Sequence, residues 1–211
     1  MIKIPAKVDF KKTQKKLYQP SSKEVVMIIV PEMQFLMIDG MGSPGDSQEY
    51  QDALATLYPV AFKTKFLSKG KGKDYVVPPL EGLWWADDMN DFRSGHREKW
   101  KWTMGIMQPP WITKELIKEA IEITKKNKPE LSELLTKLRI ENYNEGKSAQ
   151  IMHLGPFSEE GPTIDKVHNF IEQQSGKFDG LTQKHHEIYL SDPRRAKPEN
   201  MKTVIRQPFI S

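Results

Sequence analysis

The sequence predicts an α+β fold in which an antiparallel sheet carries helices on one face and a ligand cleft on the other. Two observations support this prediction. Both halves of the chain repeat one order of local patterns: a strand, a glycine turn, a helix and two further strands. Residues 35–43 and 150–158 also align, with a methionine, a glycine and a serine in common. Two such units would give an antiparallel sheet with its helices on one side, a layer arrangement of the α+β class.

The repeat divides the chain into four parts. Residues 1–23 form a polar, lysine-rich N-terminal extension. Repeat one covers about residues 24–110 and repeat two about residues 139–211, with a helical linker at 111–138. We therefore expect one domain over residues 24–211, built from two similar halves.

The N-terminal extension contains a short helix, which is expected to start at Asp9 and to end by Pro20. The run VVMIIV at residues 25–30 is continuous and rich in β-branched residues, which is typical of a strand. Residues 33–39 form a second strand. A helix follows from about residue 47 to 68, with Pro59 as an expected kink or break.

The glycine turn before this helix, GMGSPG, matches the dinucleotide-binding pattern G-x-G-x-x-G. Two strands follow the helix instead of a second βα unit. The corresponding turn of repeat two keeps only Gly155 of the three glycines. We therefore favour a tight strand-to-helix turn over a dinucleotide site, and we expect no cofactor.

Four of the five tryptophans fall within one predicted hairpin, made of residues 75–85 and 99–108. Trp85 ends the first strand, and Trp100 and Trp102 share one face of the second, which Met104 continues. Core packing accounts for some of these side chains. The others are predicted to line the cleft, because indole rings bind flat aromatic or cationic ligands with about 0.5–2 kcal/mol per contact.

The linker is expected to hold a helix at residues 111–126, for which Thr113 is the expected cap, and a short helix at 130–138. A strand at 149–154 and a helix at 162–173 follow. The last two strands are expected at 185–190 and 202–208, joined by a long polar hairpin.

The strand HHEIYL carries an acid in its middle. Alternation places Glu187 and Tyr189 on one face and His186 and Ile188 on the other. A carboxylate beside a tyrosine is costly to bury in a core but suits a ligand pocket. Tyr143 extends the predicted aromatic wall.

Composition excludes several classes of protein. The net charge of +4 alone is compatible with nucleic-acid binding, but the lysines are spread along the chain without a basic stripe, so we expect no direct nucleic-acid binding. Cysteine is absent, which excludes disulfides, thiol nucleophiles and thiolate metal sites. The histidines show no ligand spacing, and we expect no metal. No apolar run spans a bilayer and the N-terminus lacks a leader pattern, so we expect a cytoplasmic protein without membrane contact.

Three segments carry a resemblance to a known family: QIMHLGPFSEEGPTI, HHEIYLSDPRR and PENMKTVIRQP. They resemble the GyrI-like (gyrase-inhibitor-like) small-molecule-binding domain, in its stand-alone bacterial form, over about residues 24–211. In this family the domain also serves as the effector-binding part of multidrug-sensing transcription activators. The first 22 residues are too short for a helix-turn-helix, so we expect no DNA-binding domain here.

The resemblance implies a function for the cleft. Glu187 matches a family glutamate that lies at the bottom of a cleft among aromatic side chains. Stand-alone members are associated with hydrolysis of cyclopropanoid genotoxins, so the resemblance implies such a hydrolase or a non-catalytic drug-binding protein. If the protein is such a hydrolase, Glu187 would activate water and Tyr189 or Tyr143 would stabilise the developing phenolate. His153 completes the predicted ligand-binding set.

A hydrophobic aromatic small molecule is therefore the expected partner. A gyrase-inhibitor-like protein that acts on a partner protein is the remaining alternative.

Overall fold

The computed structural model describes residues 7–44 and 47–211. Within this part of the chain, eight antiparallel strands form a curled half-barrel sheet. The strands are β1 Val26–Val30, β2 Met33–Met41, β3 Leu80–Trp85, β4 Lys101–Gln108, β5 Arg139–Tyr143, β6 Gly146–Leu154, β7 His185–Tyr189 and β8 Lys202–Pro208.

The sheet is symmetric in its strand order, β1-β6-β8-β7-β3-β4-β2-β5. The two repeats meet in the middle, where β7 pairs with β3. Each repeat also contributes its first strand to the other, since β1 pairs with β6 and β5 pairs with β2. This exchange ties the halves together at both ends of the sheet.

Six α-helices accompany the sheet in the described ranges. Ser47 caps the long helix α3 by accepting a hydrogen bond from the Tyr50 amide, and this helix continues through Pro59 without a break. It packs on β2 and β4, whereas α6 packs on β6 and β8, and α5 packs against α3. The helices are α1 Phe10–Thr13, α2 Lys15–Tyr18, α3 Gln48–Gly70, α4 Asn90–Ser94, α5 Lys114–Asn127 and α6 Gly161–Gln173.

Strand register decides which side chains share a face with α3 and α6. Glu187 lies opposite Gly82 of β3 and opposite Ile205 of β8. Ile205 packs in one cluster with Ile171 of α6. The face of the sheet that carries Glu187 is therefore the helical face.

The opposite face holds a buried polar network that the N-terminal helices cover. His186 donates to Glu81 and Glu145 at 3.0 and 2.9 Å. The Arg206 guanidinium donates to Glu145 at 3.0 Å, and the Tyr18 hydroxyl donates to Glu81 at 3.2 Å. Because Tyr18 belongs to α2, this network fastens the N-terminal segment to the sheet.

The α+β class and the antiparallel sheet are confirmed. One detail differs from the expectation: the cleft was predicted opposite the helices, but Glu187 faces them and the N-terminal segment covers the other side. The sequence of β7 has polar residues on both faces, so alternation separates the two sets without indicating which set the helices cover.

Candidate functional site

Glu187 lies at the centre of the helical face of the sheet, where the two repeats meet and where α3 and α6 pack on the strands to either side. The region between the two helices above Glu187 is called the cleft below. The Glu187 side chain is 15% exposed, so protein encloses it while leaving a path to solvent. Tyr189 shares the same face of β7. Tyr50 of α3 and Glu160, the residue before α6, approach from the two sides: burial raises the pKa of each, and the nearby charge of Glu187 raises it further.

A chain of hydrogen bonds orients the Glu187 carboxylate. The Trp84 indole N–H donates to the Tyr189 hydroxyl at 2.9 Å, and that hydroxyl donates to Glu187 Oε2 at 2.8 Å. His185 Nε2 lies 3.2 Å from Oε1. Burial, followed by the charge of Glu187, raises the pKa of Tyr189 well above its usual value, so the phenol keeps its proton and remains a donor.

Gly82 makes this chain of donors possible. A Cβ atom at this position would lie 2.8 Å from Trp84 Nε1, 2.9 Å from the Tyr189 hydroxyl and 2.8 Å from Met104 Cε. These separations are shorter than van der Waals contact, so a side chain here would push the indole and the phenol apart. The strand needs glycine at this point because two aromatic side chains meet above its backbone.

Aromatic rings form the α3 side of the cleft. Tyr50 lies stacked on Trp84 with ring centroids 6.4 Å apart, and meets Trp102 edge to face at 5.5 Å. Trp102 is fully buried and covers the backbone of Gly40, the neighbouring residue on β2. The bulk of Trp102 therefore supports the wall from below, whereas Tyr50 faces the cleft.

Glu160 adds a second acid. Its side chain is buried, and its Oε1 makes no hydrogen bond to any described residue. Burial, followed by the negative charge of Glu187, raises the pKa of Glu160 to about 9. The Thr203 hydroxyl acts in the opposite direction, since a hydrogen bond to the carboxylate favours the charged form, but burial and the charge of Glu187 have the larger effect here. Glu160 is thus a neutral proton donor at pH 7, beside the Glu187 carboxylate.

Two of the predicted ligand-binding residues in β4 lie on the face of Glu187. Met104 pairs with Gly82 across the β3–β4 ladder, and Trp102 pairs with Trp84. Both predicted residues are fully buried, so they support the floor and wall of the cleft. Trp100 precedes β4 and stacks on Phe92, with ring centroids 4.5 Å apart.

The other predicted ligand-binding residues lie away from the cleft floor. Trp85 is on the opposite face, where the Lys184 ammonium lies 3.5 Å from its ring centroid. Tyr143 ends β5 and helps line a small cavity on that same face. His153 lies near the end of β6, on the face of Glu187 and opposite Thr203, and its Nδ1 lies 2.9 Å from the hydroxyl of Thr163 in α6.

Sequence reasoning missed Tyr50, Trp84, Glu160 and His185 as members of the site. Tyr50 has the spacing of a core residue along α3, and Glu160 stands in a polar turn next to another glutamate. No feature of the local sequence distinguishes Tyr50 from a residue that packs in the core, or Glu160 from a residue exposed to solvent. Trp84 had a usable signal: it alternates with Gly82 along β3, and a glycine inside a strand indicates close approach of a neighbouring group.

An open groove of about 530 Å³ lies elsewhere, between the N-terminal helices and the ends of β6 and β8. Tyr18, Met152 and Leu190 line it, together with surface lysines. These side chains belong to the face opposite Glu187. The groove has no counterpart of the Glu160–Glu187 pair, so the chemistry of the site belongs to the cleft.

Comparison with known proteins identifies the family. The model of the GyrI-like small-molecule-binding domain matches residues 23–209. The chain belongs to the GyrI-like small-molecule-binding domain family. This confirms the resemblance inferred from the three segments, and it establishes a small molecule as the kind of ligand that the domain binds.

Two chains of known structure are similar to this chain along almost its whole length. An uncharacterized conserved protein from Listeria innocua is 42% identical with a TM-score of 0.87, and a protein from the same organism described as a hydrolase is 42% identical with a TM-score of 0.83. Each match covers 97% of this chain and 100% of the other.

More distant structures share the fold alone. The C-terminal domain of EcmrR has a TM-score of 0.56 at 9% identity, over 89% of this chain and 98% of that domain. A search of functionally curated proteins found no match. No helix within residues 7–44 and 47–211 has the length and apolar character needed to cross a bilayer.

Proposed function

We propose that this GyrI-like domain binds flat aromatic electrophiles in the cleft and hydrolyses cyclopropanoid genotoxins there. The observation that carries the proposal is the pair of carboxyl groups, Glu187 and Glu160, enclosed beside Tyr50 and Tyr189. One carboxylate and one protonated acid are what general base and general acid catalysis require at the same pH. The similar proteins described as hydrolases support an enzymatic role.

In the proposed reaction, Glu187 takes a proton from a water molecule that attacks the cyclopropane CH₂. A carbon–oxygen bond forms as the strained carbon–carbon bond breaks, and its electron pair moves into the aromatic system. Glu160 donates its proton to the oxygen that gains this charge. Transfer of the proton from Glu187 back to Glu160 restores both groups, so the net reaction adds one water across one bond.

Tyr189 has a positioning role in this proposal. Its hydroxyl already donates to Glu187 at 2.8 Å and accepts from Trp84 at 2.9 Å, which leaves it poorly placed to stabilise a phenolate. Glu160 is the better donor, because it is buried and protonated and its Oε1 has no partner among the described residues. This assignment replaces the sequence-based role of Tyr189 as the phenolate donor.

Binding of a multi-ring substrate requires side chains to move. Glu187 is only 15% exposed, so its surroundings leave little free space in this state. Tyr50 on α3 and Phe157 before α6 stand at the two sides, and Phe157 contacts the Tyr189 ring edge to face at 5.6 Å. We propose that these two rings swing aside and then stack on the substrate, which excludes water from its flat faces.

The test follows the product by mass spectrometry. Wild-type protein incubated with excess cyclopropanoid should release many equivalents of product heavier by one water. Glu187→Gln and Glu160→Gln should each lower kcat by about 100-fold or more, the usual contribution of a general base or acid. Glu159→Gln is the matched control, because Glu159 is the exposed neighbour of Glu160.

Two results would overturn the proposal. Turnover by Glu187→Gln at the wild-type rate would exclude Glu187 as the base. Stoichiometric binding without a hydrated product would favour the alternative, a non-catalytic drug-binding protein in which Glu187 neutralises a cationic ligand. The family description as a small-molecule-binding domain is the observation that supports this second candidate.

A further inference from the structure

The edge strand β1 has an unusual composition for its position. It pairs with β6 on one side only, and it is the last strand at its end of the sheet. Along its other edge, no backbone hydrogen bond to a described residue is found. Met27 is 50% exposed and Ile29 is 71% exposed. An unpaired row of backbone groups thus borders two exposed apolar side chains.

An antiparallel strand with one face in water normally alternates apolar and polar residues. The β1 sequence is apolar at every position, and Met27 and Ile29 occupy the places where polar residues are expected. An exposed, uncharged edge of this kind is open to pairing with another strand. The composition of β1 is therefore explained if its free edge is covered in the working protein.

The strand at the other end of the sheet, β5, shows the contrast. It carries Arg139 and Glu141, whose side chains form an ion pair at 2.7 Å, and Arg139 also contacts Asp39 of β2 at 2.8 Å. Charges on an edge strand oppose pairing with a further strand. The two edges occupy equivalent places in the pseudo-symmetric sheet, yet only β5 is protected in this way.

We propose that β1 is a dimerisation strand that pairs antiparallel with β1 of a second copy across a twofold axis. A strand is the occupant that satisfies a free row of amide and carbonyl groups. A second copy fits better than a charged partner strand, because the five residues of β1 carry no charge for such a partner to recognise. Antiparallel pairing of identical strands is self-complementary, as a twofold interface requires.

The length of β1 fixes the register. Pro31 follows Val30 and lacks an amide hydrogen, so pairing is confined to Val26–Val30. Full pairing of five residues places Ile28 opposite Ile28 of the second copy. Met27 then lies opposite Ile29 of the second copy, on the same face of the joined sheet. The four exposed side chains would cover one another across the axis.

Sedimentation velocity of the full chain tests the dimer, over about 1–100 µM. Wild type should be dimeric, and Ile29→Lys should raise the dimer dissociation constant by more than about tenfold, because it brings two lysines into the apolar pairs. Phe66→Lys is the matched control: Phe66 is 57% exposed on α3, away from β1, and its replacement should leave the dimer intact. Circular dichroism verifies that each variant is folded.

Cysteine cross-linking tests the register separately, since the natural chain contains no cysteine. Residues directly opposite in an antiparallel ladder have Cα atoms about 4.5–5.5 Å apart, within the range of a disulfide. Ile28→Cys should therefore form a covalent dimer under mild oxidation, well ahead of Phe66→Cys.

A monomeric wild type across the whole concentration range would overturn the proposal. The proposal would also be overturned if Ile29→Lys left the dimer unchanged, or if Phe66→Lys disrupted the dimer and Ile29→Lys did not. Equal cross-linking of the two cysteine variants would exclude the register.

Discussion

The hydrogen bond between Trp84 and Tyr189 provides a sharp test of the site geometry. Tyr189→Phe removes the acceptor of the Trp84 indole N–H and one of the donors to Glu187. Trp84 is almost fully buried, so its N–H would be left without a partner, at about 1–3 kcal/mol. The lost hydrogen bond to a charged group adds about 1.5–3 kcal/mol. We expect Tyr189→Phe to lower the free energy of unfolding by about 2.5–6 kcal/mol.

A double-mutant cycle separates this hydrogen bond from general packing. Urea unfolding at pH 7 would be measured for wild type, Tyr189→Phe, Trp84→Phe and the double variant. Once the indole N–H is absent, the tyrosine hydroxyl has lost its donor, so the two changes should couple by about 1 kcal/mol. Tyr143→Phe is the control, because no hydrogen bond from its hydroxyl to a described residue is found; it should cost less than about 0.5 kcal/mol.

The outcome that would refute this reasoning is additivity. If the free-energy changes of the two single variants sum to that of the double variant within about 0.3 kcal/mol, the two side chains do not interact as described. The same conclusion would follow if Tyr189→Phe lowered the free energy of unfolding by no more than Tyr143→Phe does.

Three further predictions follow from the described contacts. The pKa of Glu160 is raised to about 9, so the unfolded chain releases this proton at lower pH than the folded chain does, and stability should fall as the pH rises from about 4.5 to about 9. Urea unfolding of Glu160→Gln should show a weaker dependence of stability on pH, and an unchanged dependence would contradict the assignment. Burial would raise the pKa of Glu145, but the charges of His186 and Arg206 lower it to about 2, so the contribution of Glu145 to stability should be lost as the pH falls from about 4.5 to about 2. Glu145→Gln should lower the free energy of unfolding in urea by about 3–5 kcal/mol at pH 7, and a decrease below about 1 kcal/mol would argue against the network. Gly40→Ala should lower the thermal midpoint clearly, because the new Cβ overlaps the Trp102 ring, whereas Gly70→Ala, with nothing within 4 Å of the new atom, should leave it unchanged or raise it.

The strand pattern of β7 illustrates what local sequence can predict. Alternation alone separates Glu187 and Tyr189 from His186 and Ile188, and the structure keeps that division. The element order of the two repeats predicts the antiparallel sheet and its helices. Both predictions depend on residues that are neighbours along the chain, where the backbone period sets the direction of each side chain.

The set of residues that forms the cleft cannot be predicted from any local sequence pattern. Glu160 at the N-cap of α6 and Tyr50 of α3 approach Glu187 from the two sides, and Trp84 of β3 reaches it through the Tyr189 hydroxyl. Their convergence depends on strand pairing and on the packing of two helices, and both follow from contacts between distant parts of the chain. The tryptophan hairpin shows the same limit, because adjacent residues point to opposite faces and only the register decides which indole meets the ligand side.

The sequence by itself therefore determined the fold class, the repeated order of elements, the family and the pairing of Glu187 with Tyr189 on one face. The tertiary structure alone decided that this face lies beneath the helices, that Glu160 joins it as a second, protonated acid, and that Trp84 and not Trp85 contacts the site. The physical reason is that backbone periodicity fixes directions within one element. Burial, pKa and the meeting of side chains depend on the charges and surfaces that other elements bring to it.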